Sequence, residues 1–129
     1  MNLYAATLAL LPLVASVAAP SEVPTVLAII HTESRGQAGA VRHESNGTCS
    51  AGLGGINGPC DAPLLDPGQN VRTVVRILRA GRTFCARTPR HRVCQAGALG
   101  AYNGGSKSYV RRVKAARRAI LRELARRRG

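Results

Sequence analysis

The chain has 129 residues, with 19 Lys and Arg against 6 Asp and Glu, for a formal net charge of +13. That length supports one domain with its own core and leaves little room for a second. One Phe, no Trp and three Tyr leave the core to Leu, Val, Ile and Ala, which favours helices over a β-sandwich; the charge excess predicts an anionic partner, whether nucleic acid, acidic lipid or an envelope polymer.

The first twenty residues, MNLYAATLALLPLVASVAAP, admit two readings. They are apolar enough for a secretory signal with VAA as cleavage site, but no Lys or Arg precedes the apolar stretch, and Pro12 and Pro20 interrupt it. The other reading makes Leu3 to Ala19 a structural helix packed in the domain. The stretch is too short and broken for a membrane span.

Ser21-Glu22-Val23-Pro24 is a stop and restart, with Ser21 or Glu22 serving the next helix's N-terminal turn. Val23 to Ser34 reads as a buried helix. Gly36 to Pro63 is glycine-rich and holds the turn pairs Asn46-Gly47 and Asn57-Gly58, so an irregular loop or short-strand segment is expected. LLDPGQNVRTVVRILRAG then has both helix ends signalled: Asp66 as N-cap, Pro67 in the first turn, Val71, Val74, Val75 and Leu78 on one side, and Gly81 after the last turn. Thr83 to Cys94 reads as a basic loop, Gln95 to Tyr102 as a short helix of small residues, and Asn103-Gly104-Gly105 as a turn. Ser106 can cap a final helix, SKSYVRRVKAARRAILRELARRR, which carries ten basic residues against Glu123. Its residues Val110, Val113, Ala116, Ile120 and Leu124 share one face. The arginines around that stripe form either a solvated face or a surface for an anionic partner.

Cys49, Cys60, Cys85 and Cys94 include no C-x-x-C pair, and their gaps suit two local loops better than a zinc knuckle. Pairing 49 with 60 and 85 with 94 closes the shortest loops and would imply an oxidising compartment. Reduced buried pairs are the alternative. His31, His43 and His91 lack metal-site spacing, so neither metal nor cofactor is expected.

Among the acids, Glu22 and Asp66 stand at helix starts, Glu44 and Asp61 in the polar loop, and Glu123 among arginines. Glu33 alone ends an apolar helix beside a glycine-rich loop. Such surroundings raise a carboxyl pKa and hold a proton for donation, as a general acid requires, although a surface acid near a helix end is the commoner case.

Four segments in order, VPTVLAIIHTES, GLGGIN, LLDPGQNVRTVVRILR and LGAYNGG, resemble the SLT-type lytic transglycosylases, relatives of goose-type lysozyme. The family pattern is an apolar helix ending in Glu-Ser, a GLMQI-like segment, a DPxxNI helix entry and an AYN-Gly motif; the resemblance covers residues 23 to 105. No single piece is specific, but their order is. VASVAAPSEVP also looks like the family's first helix and turn. The resemblance implies a mainly α, small lysozyme-like domain with a glycine-rich loop or short β segment, divided as an N-terminal segment 1–20, a catalytic part 21–109 and a basic C-terminal helix 110–129.

By the same resemblance Glu33 is the catalytic acid, Ser34 a substrate-contacting serine, Tyr102 and Asn103 the substrate-positioning pair, and Leu53 and Ile56 apolar anchors. Gly54 and Gly55 stand where Met and Gln are expected. The glutamine's sugar contact is lost there, although Gly-Gly backbone groups could approach the glycan closely. Glycosidases commonly use two carboxylates. One suffices when the substrate's 2-acetamido group stabilises the developing cation, so the resemblance implies cleavage of peptidoglycan between N-acetylmuramic acid and N-acetylglucosamine, giving 1,6-anhydro ends. Water at the same intermediate would give lysozyme-type hydrolysis instead. The expected location is the periplasm, the cell envelope or outside the cell, including a phage virion, with the basic helix on an anionic polymer or membrane surface and nucleic acid the weaker alternative. The rivals from other classes are a non-catalytic glycan- or nucleic-acid-binding module and a membrane-permeabilising basic protein.

Overall fold

The apolar N-terminal stretch folds as two short helices, α1 (Ala5–Leu8) and α2 (Leu11–Val17), Pro12 lying in the first turn of the second, in a computed structural model that describes residues 2–102, 104 and 106–128. Leu8 and Val14 are fully enclosed and belong to the main core, and two helices stand where the structural reading expected one from Leu3 to Ala19. Ala18 and Pro20 break the run, and α3 (Val23–Ser34) begins with Pro24 in its first turn. Val26, Leu27, Ala28, Ile29 and Ile30 are all buried. A helix apolar on every side must be central, and α1, α2 and the C-terminal helix pack around it. Enclosing each Leu or Ile side chain stabilises the fold by about 1.5–3 kcal/mol.

Buried polar side chains tie the N-terminal segment to α3. His31 Nε2 lies 2.8 Å from the Arg35 guanidinium; arginine only donates, so Nε2 accepts and Nδ1–H donates to Thr7 Oγ1 at 3.0 Å. Burial, and then the Arg35 charge, push the His31 pKa down and keep the ring neutral. Glu22 stands at the N-cap position without capping the helix. It is only 6% exposed, and it accepts from Arg79 Nε and Nη2 at 3.0 and 2.8 Å, Arg82 Nη2 at 3.1 Å and the Ala19 N–H at 2.8 Å.

The glycine-rich segment forms a three-stranded antiparallel sheet, β1 (Val41–His43), β2 (Cys49–Ala51) and β3 (Ile56–Gly58), in the order β1-β2-β3. Asn46-Gly47 makes the first turn, Gly47 having φ 87°. Asn57-Gly58 is not a turn: it lies in β3, with Gly58 opposite Cys49. That register holds Cys60 close enough to form the Cys49–Cys60 disulfide; the second disulfide joins Cys85 to Cys94.

Helix α4 (Pro67–Arg87) opens as expected, the Gln69 N–H donating to Asp66 Oδ2 at 2.9 Å. It does not stop at Gly81. That glycine is buried within the helix, a close-packing position rather than a terminator, and two further turns carry Cys85 to its disulfide. The expected basic loop is therefore helical to Arg87, and a 3₁₀ turn occupies Arg92–Ala96. The short helix expected from Gln95 is split at Gly97, φ 65°, and α5 spans Ala98–Tyr102. Helix α6 (Lys107–Arg128) runs through position 110 without a break; Val113, Ala116 and Ile120 join the core around α3, Val110 is buried near the 3₁₀ turn, and Leu124 packs at the margin of the core. Its first turn receives the expected help from Ser106, whose Oγ accepts from the Tyr109 N–H at 3.3 Å. The fold is mainly α, and among the described residues no helix is long and apolar enough to cross a membrane.

Candidate active site

Helix α3 ends where Arg35 turns into the left-handed region, φ 55°, so the last helical turn stops at the surface and presents Glu33 there. A cleft of about 340 Å³ opens against it. The sheet contributes Arg42, Glu44 and Ser50, the turn before β3 contributes Gly55, α5 Tyr102, and α6 Tyr109 and Arg112. Residues far apart in sequence thus meet around one carboxyl.

Burial raises the Glu33 pKa, against smaller opposing effects from Tyr109, Arg42 and Arg112, and with a small further rise from the Glu44 charge. The carboxyl is therefore biased toward its protonated form, and two guanidiniums stand near enough to favour the carboxylate once the proton has left. Glu44 has the opposite character: Arg42 Nε donates to it at 2.7 Å and Ser50 Oγ at 3.3 Å, and the Arg42 bond holds its pKa below the usual value. One cleft therefore contains one carboxyl poised as an acid and one held as an anion, the separation of roles that acid-base chemistry uses.

Tyr102 donates to the Gly54 carbonyl at 2.8 Å, and its ring lies parallel to Tyr109, centroids 6.1 Å apart and planes 4° from coplanar. The Arg112 guanidinium sits 5.9 Å from the centre of the Tyr109 ring. The Tyr109 hydroxyl is buried and makes no hydrogen bond of good geometry among the described residues, yet it lies beside the Glu33 carboxyl and is near enough to lower its pKa.

Not every expected site residue meets the cleft. Ser34 Oγ donates to the Ile30 carbonyl at 3.1 Å and accepts from the Gly36 N–H at 3.2 Å, so this buried serine helps end α3 and does not line the cleft. Gly54 is buried, its N–H given to Asn70 Oδ1 at 2.7 Å and its carbonyl to Tyr102. Gly54 does not line the cleft. A side chain there would overlap Val74 Cγ2, so the glycine is demanded by packing. Gly55 does face the cleft; its φ is 61°, and a Cβ would stand 2.5 Å from Glu33 Oε1. Leu53 is fully buried and Ile56 half-buried at the cleft's edge. Asn103 lies outside the described residues.

Several contributors were not legible beforehand, Arg42, Glu44 and Ser50 of the sheet region among them. Asn70, fully buried on α4, donates to the carbonyls of Ala51 and Leu64 at 2.9 and 2.7 Å while accepting from Gly54, which pins the glycine turn to the helix. Its signal was the family-like helix entry, where it stands four residues after the cap. Tyr109 could have been noticed as one of only three tyrosines, seven residues beyond Tyr102; Arg112 follows one helical turn later. His43, with Cys49 and Cys60, has the donor types of a metal site, but both sulfurs are joined in the disulfide and neither is a thiolate ligand. Comparison of the chain with protein-family models, with curated proteins and with solved structures finds no significant match.

Proposed function

We propose that the protein is a peptidoglycan lytic transglycosylase of lysozyme-like fold, cleaving the β-1,4 bond between N-acetylmuramic acid and N-acetylglucosamine and leaving 1,6-anhydro ends. The observation that carries this reading is the Glu33 carboxyl, biased toward its protonated form at the end of a buried helix and facing the Gly55 turn and Tyr102 across a cleft. It agrees with the resemblance of four ordered segments to the SLT-type enzymes. In the proposed reaction Glu33 protonates the leaving glycosidic oxygen while the substrate's acetamido oxygen stabilises the anomeric carbon. The Glu33 carboxylate, favoured by Arg42 and Arg112, then takes the proton of the 6-hydroxyl as that oxygen closes on the same carbon. The proton given in the first step is recovered in the second, and water is not consumed. Two disulfides suit a protein of the periplasm or cell surface, and the net charge of +13 would concentrate it on an anionic envelope, with an affinity that falls as salt rises.

Glu44 supports a second reading, hydrolysis of the same bond, because an ionised carboxylate in the cleft is where a base would activate water. Its pairing with Arg42 lowers its basicity and makes it the weaker candidate.

Digestion of purified peptidoglycan with mass spectrometry of the muropeptides separates the readings. Anhydro products from the wild type, abolished in Glu33→Gln and retained in Glu44→Gln, are expected. Hydrated ends that require Glu44 would make the protein a muramidase, and no product from folded wild type would favour a binding module.

A further inference from the structure

A second concavity, of about 480 Å³, lies between the start of α3, the middle of α4 and the outer face of α6. Lys114, Arg117 and Arg118 border it from α6 at i, i+3 and i+4 spacing, hence from one helical face. Arg82 comes from α4, and the hydroxyl residues Ser21 and Thr25 from the chain at the start of α3. Among the described residues the only acid on its wall is Glu22, which Arg79 and Arg82 already neutralise. Among the described residues Lys114, Arg117 and Arg118 have no carboxylate partner: the five ion pairs use other cations.

One of these cations is held in place. Arg117 Nε donates to Thr25 Oγ1 at 3.0 Å, which orients the guanidinium over the cavity and leaves its two terminal nitrogens to donate elsewhere. Like charges at i and i+4, as in Lys114 and Arg118, repel, and among the described residues no carboxylate pairs with either. The opposite wall, with Leu78 and Leu99, is apolar.

We propose that this cavity is a binding site for a phosphate monoester, separate from the Glu33 cleft. Donors from three elements converge on it, more than the two oxygens of a carboxylate can use, whereas a phosphate monoester offers three terminal acceptor oxygens and up to two negative charges to match several cations. The leucine wall would take the compact organic group attached to that phosphate, and the volume lies in the range of small-ligand sites. The inference does not rest on the activity proposed above.

Binding of glycerol 3-phosphate followed by calorimetry, and of vesicles containing phosphatidic acid followed by co-sedimentation, both at low salt, tests it. Wild type is compared with Lys114→Gln/Arg118→Gln and with the charge-matched control Arg72→Gln/Arg76→Gln, whose side chains are exposed on α4 and lie outside this cavity. Saturable binding that weakens about tenfold or more in the first variant, as expected for lost charge-assisted bonds, and less than about twofold in the control is the expected result. Selective loss seen only with vesicles would assign the phosphate to a lipid headgroup; selective loss with the soluble ester would assign it to a free or polymer-borne phosphate. Equal weakening in both variants, or no saturable binding of either probe, would overturn the site. All four substituted positions are exposed, so thermal midpoints are expected to match wild type.

Discussion

The α-carbon of Gly55 faces the carboxyl of Glu33 so closely that a single added methyl would stand 2.5 Å from Oε1. The carboxyl has its room there because position 55 carries no side chain, its backbone held at φ 61°. A left-handed residue other than glycine is strained by about 1–2 kcal/mol. Gly55→Ala is therefore expected to lower stability by about that amount and glycan cleavage by about 100-fold, since a displacement near 1 Å at a reacting group has that effect. Denaturant midpoints and muropeptide release rates measured together check it; wild-type turnover in the variant would show that Glu33 does not depend on this contact.

Asn70 is the strut beneath the same turn. Truncating it leaves the Gly54 N–H and the carbonyls of Ala51 and Leu64 without their buried partner. Asn70→Ala should destabilise the fold by about 2–4 kcal/mol, and Asn70→Asp, whose second oxygen would face the two carbonyls with no proton to give at neutral pH, should be no more stable than the alanine variant. Urea unfolding of the three proteins gives the comparison, and an alanine variant as stable as wild type would refute the strut.

Tyr109→Phe removes a buried hydroxyl that makes no well-formed hydrogen bond, so its effect on stability should be within about 1 kcal/mol. Its effect on the acid is larger in kind. The Tyr109 hydroxyl lowers the Glu33 pKa; without it the pKa rises further and the proton stays on to higher pH. The alkaline limb of the pH-activity profile is expected to move upward, while a merely structural tyrosine would leave that limb in place.

Glu22 and Glu33 make opposite contributions to stability as pH changes. The Arg79 hydrogen bonds, aided by Arg82 and the Ala19 N–H, pull the Glu22 pKa from 4.5 to about 2 against the effect of burial. Its contribution is present above pH 4.5 and is lost as pH falls toward 2. Glu22→Gln should cost about 1–3 kcal/mol at neutral pH, discounted for the exposed arginines, with the gap closing in acid. The raised pKa of Glu33 means its ionised form is disfavoured in the fold, so a stabilising contribution present at low pH disappears as pH rises through the folded pKa. Glu33→Gln should therefore raise the melting temperature at pH 7 and not at pH 4. Melting temperatures of the three proteins from pH 2 to 8 test both signs.

The order of elements could be read from the chain because local signals agreed with one another. Apolar residues on every side of Val23 to Ser34 require a central helix, Asp66-Pro67 opens α4, and Asn46-Gly47 makes a hairpin turn. Glu33 stood out as the acid closing that central helix. Gly81 and Asn57-Gly58 misled because the same glycine serves as a stop, a close-packing position or a strand residue, and only its neighbours in space decide which. Ser34 likewise had the right sequence neighbour, Glu33, but its hydroxyl is taken by the main chain of its own helix end.

The sequence by itself determined the helical class, the starts of α3, α4 and α6, the apolar stripe of α6 and the place of Glu33 at the end of the central helix. These follow from periodicity, caps and composition, which act over a few residues. Only the tertiary structure decided that Asn70 holds the Gly54 turn, that Tyr109 and Arg112 reach Glu33 from the last helix, and that Glu22 anchors two arginines of α4. Each of these joins residues at least 16 positions apart, and the burial that sets the protonation of Glu33 and Glu22 exists only once the helices have packed.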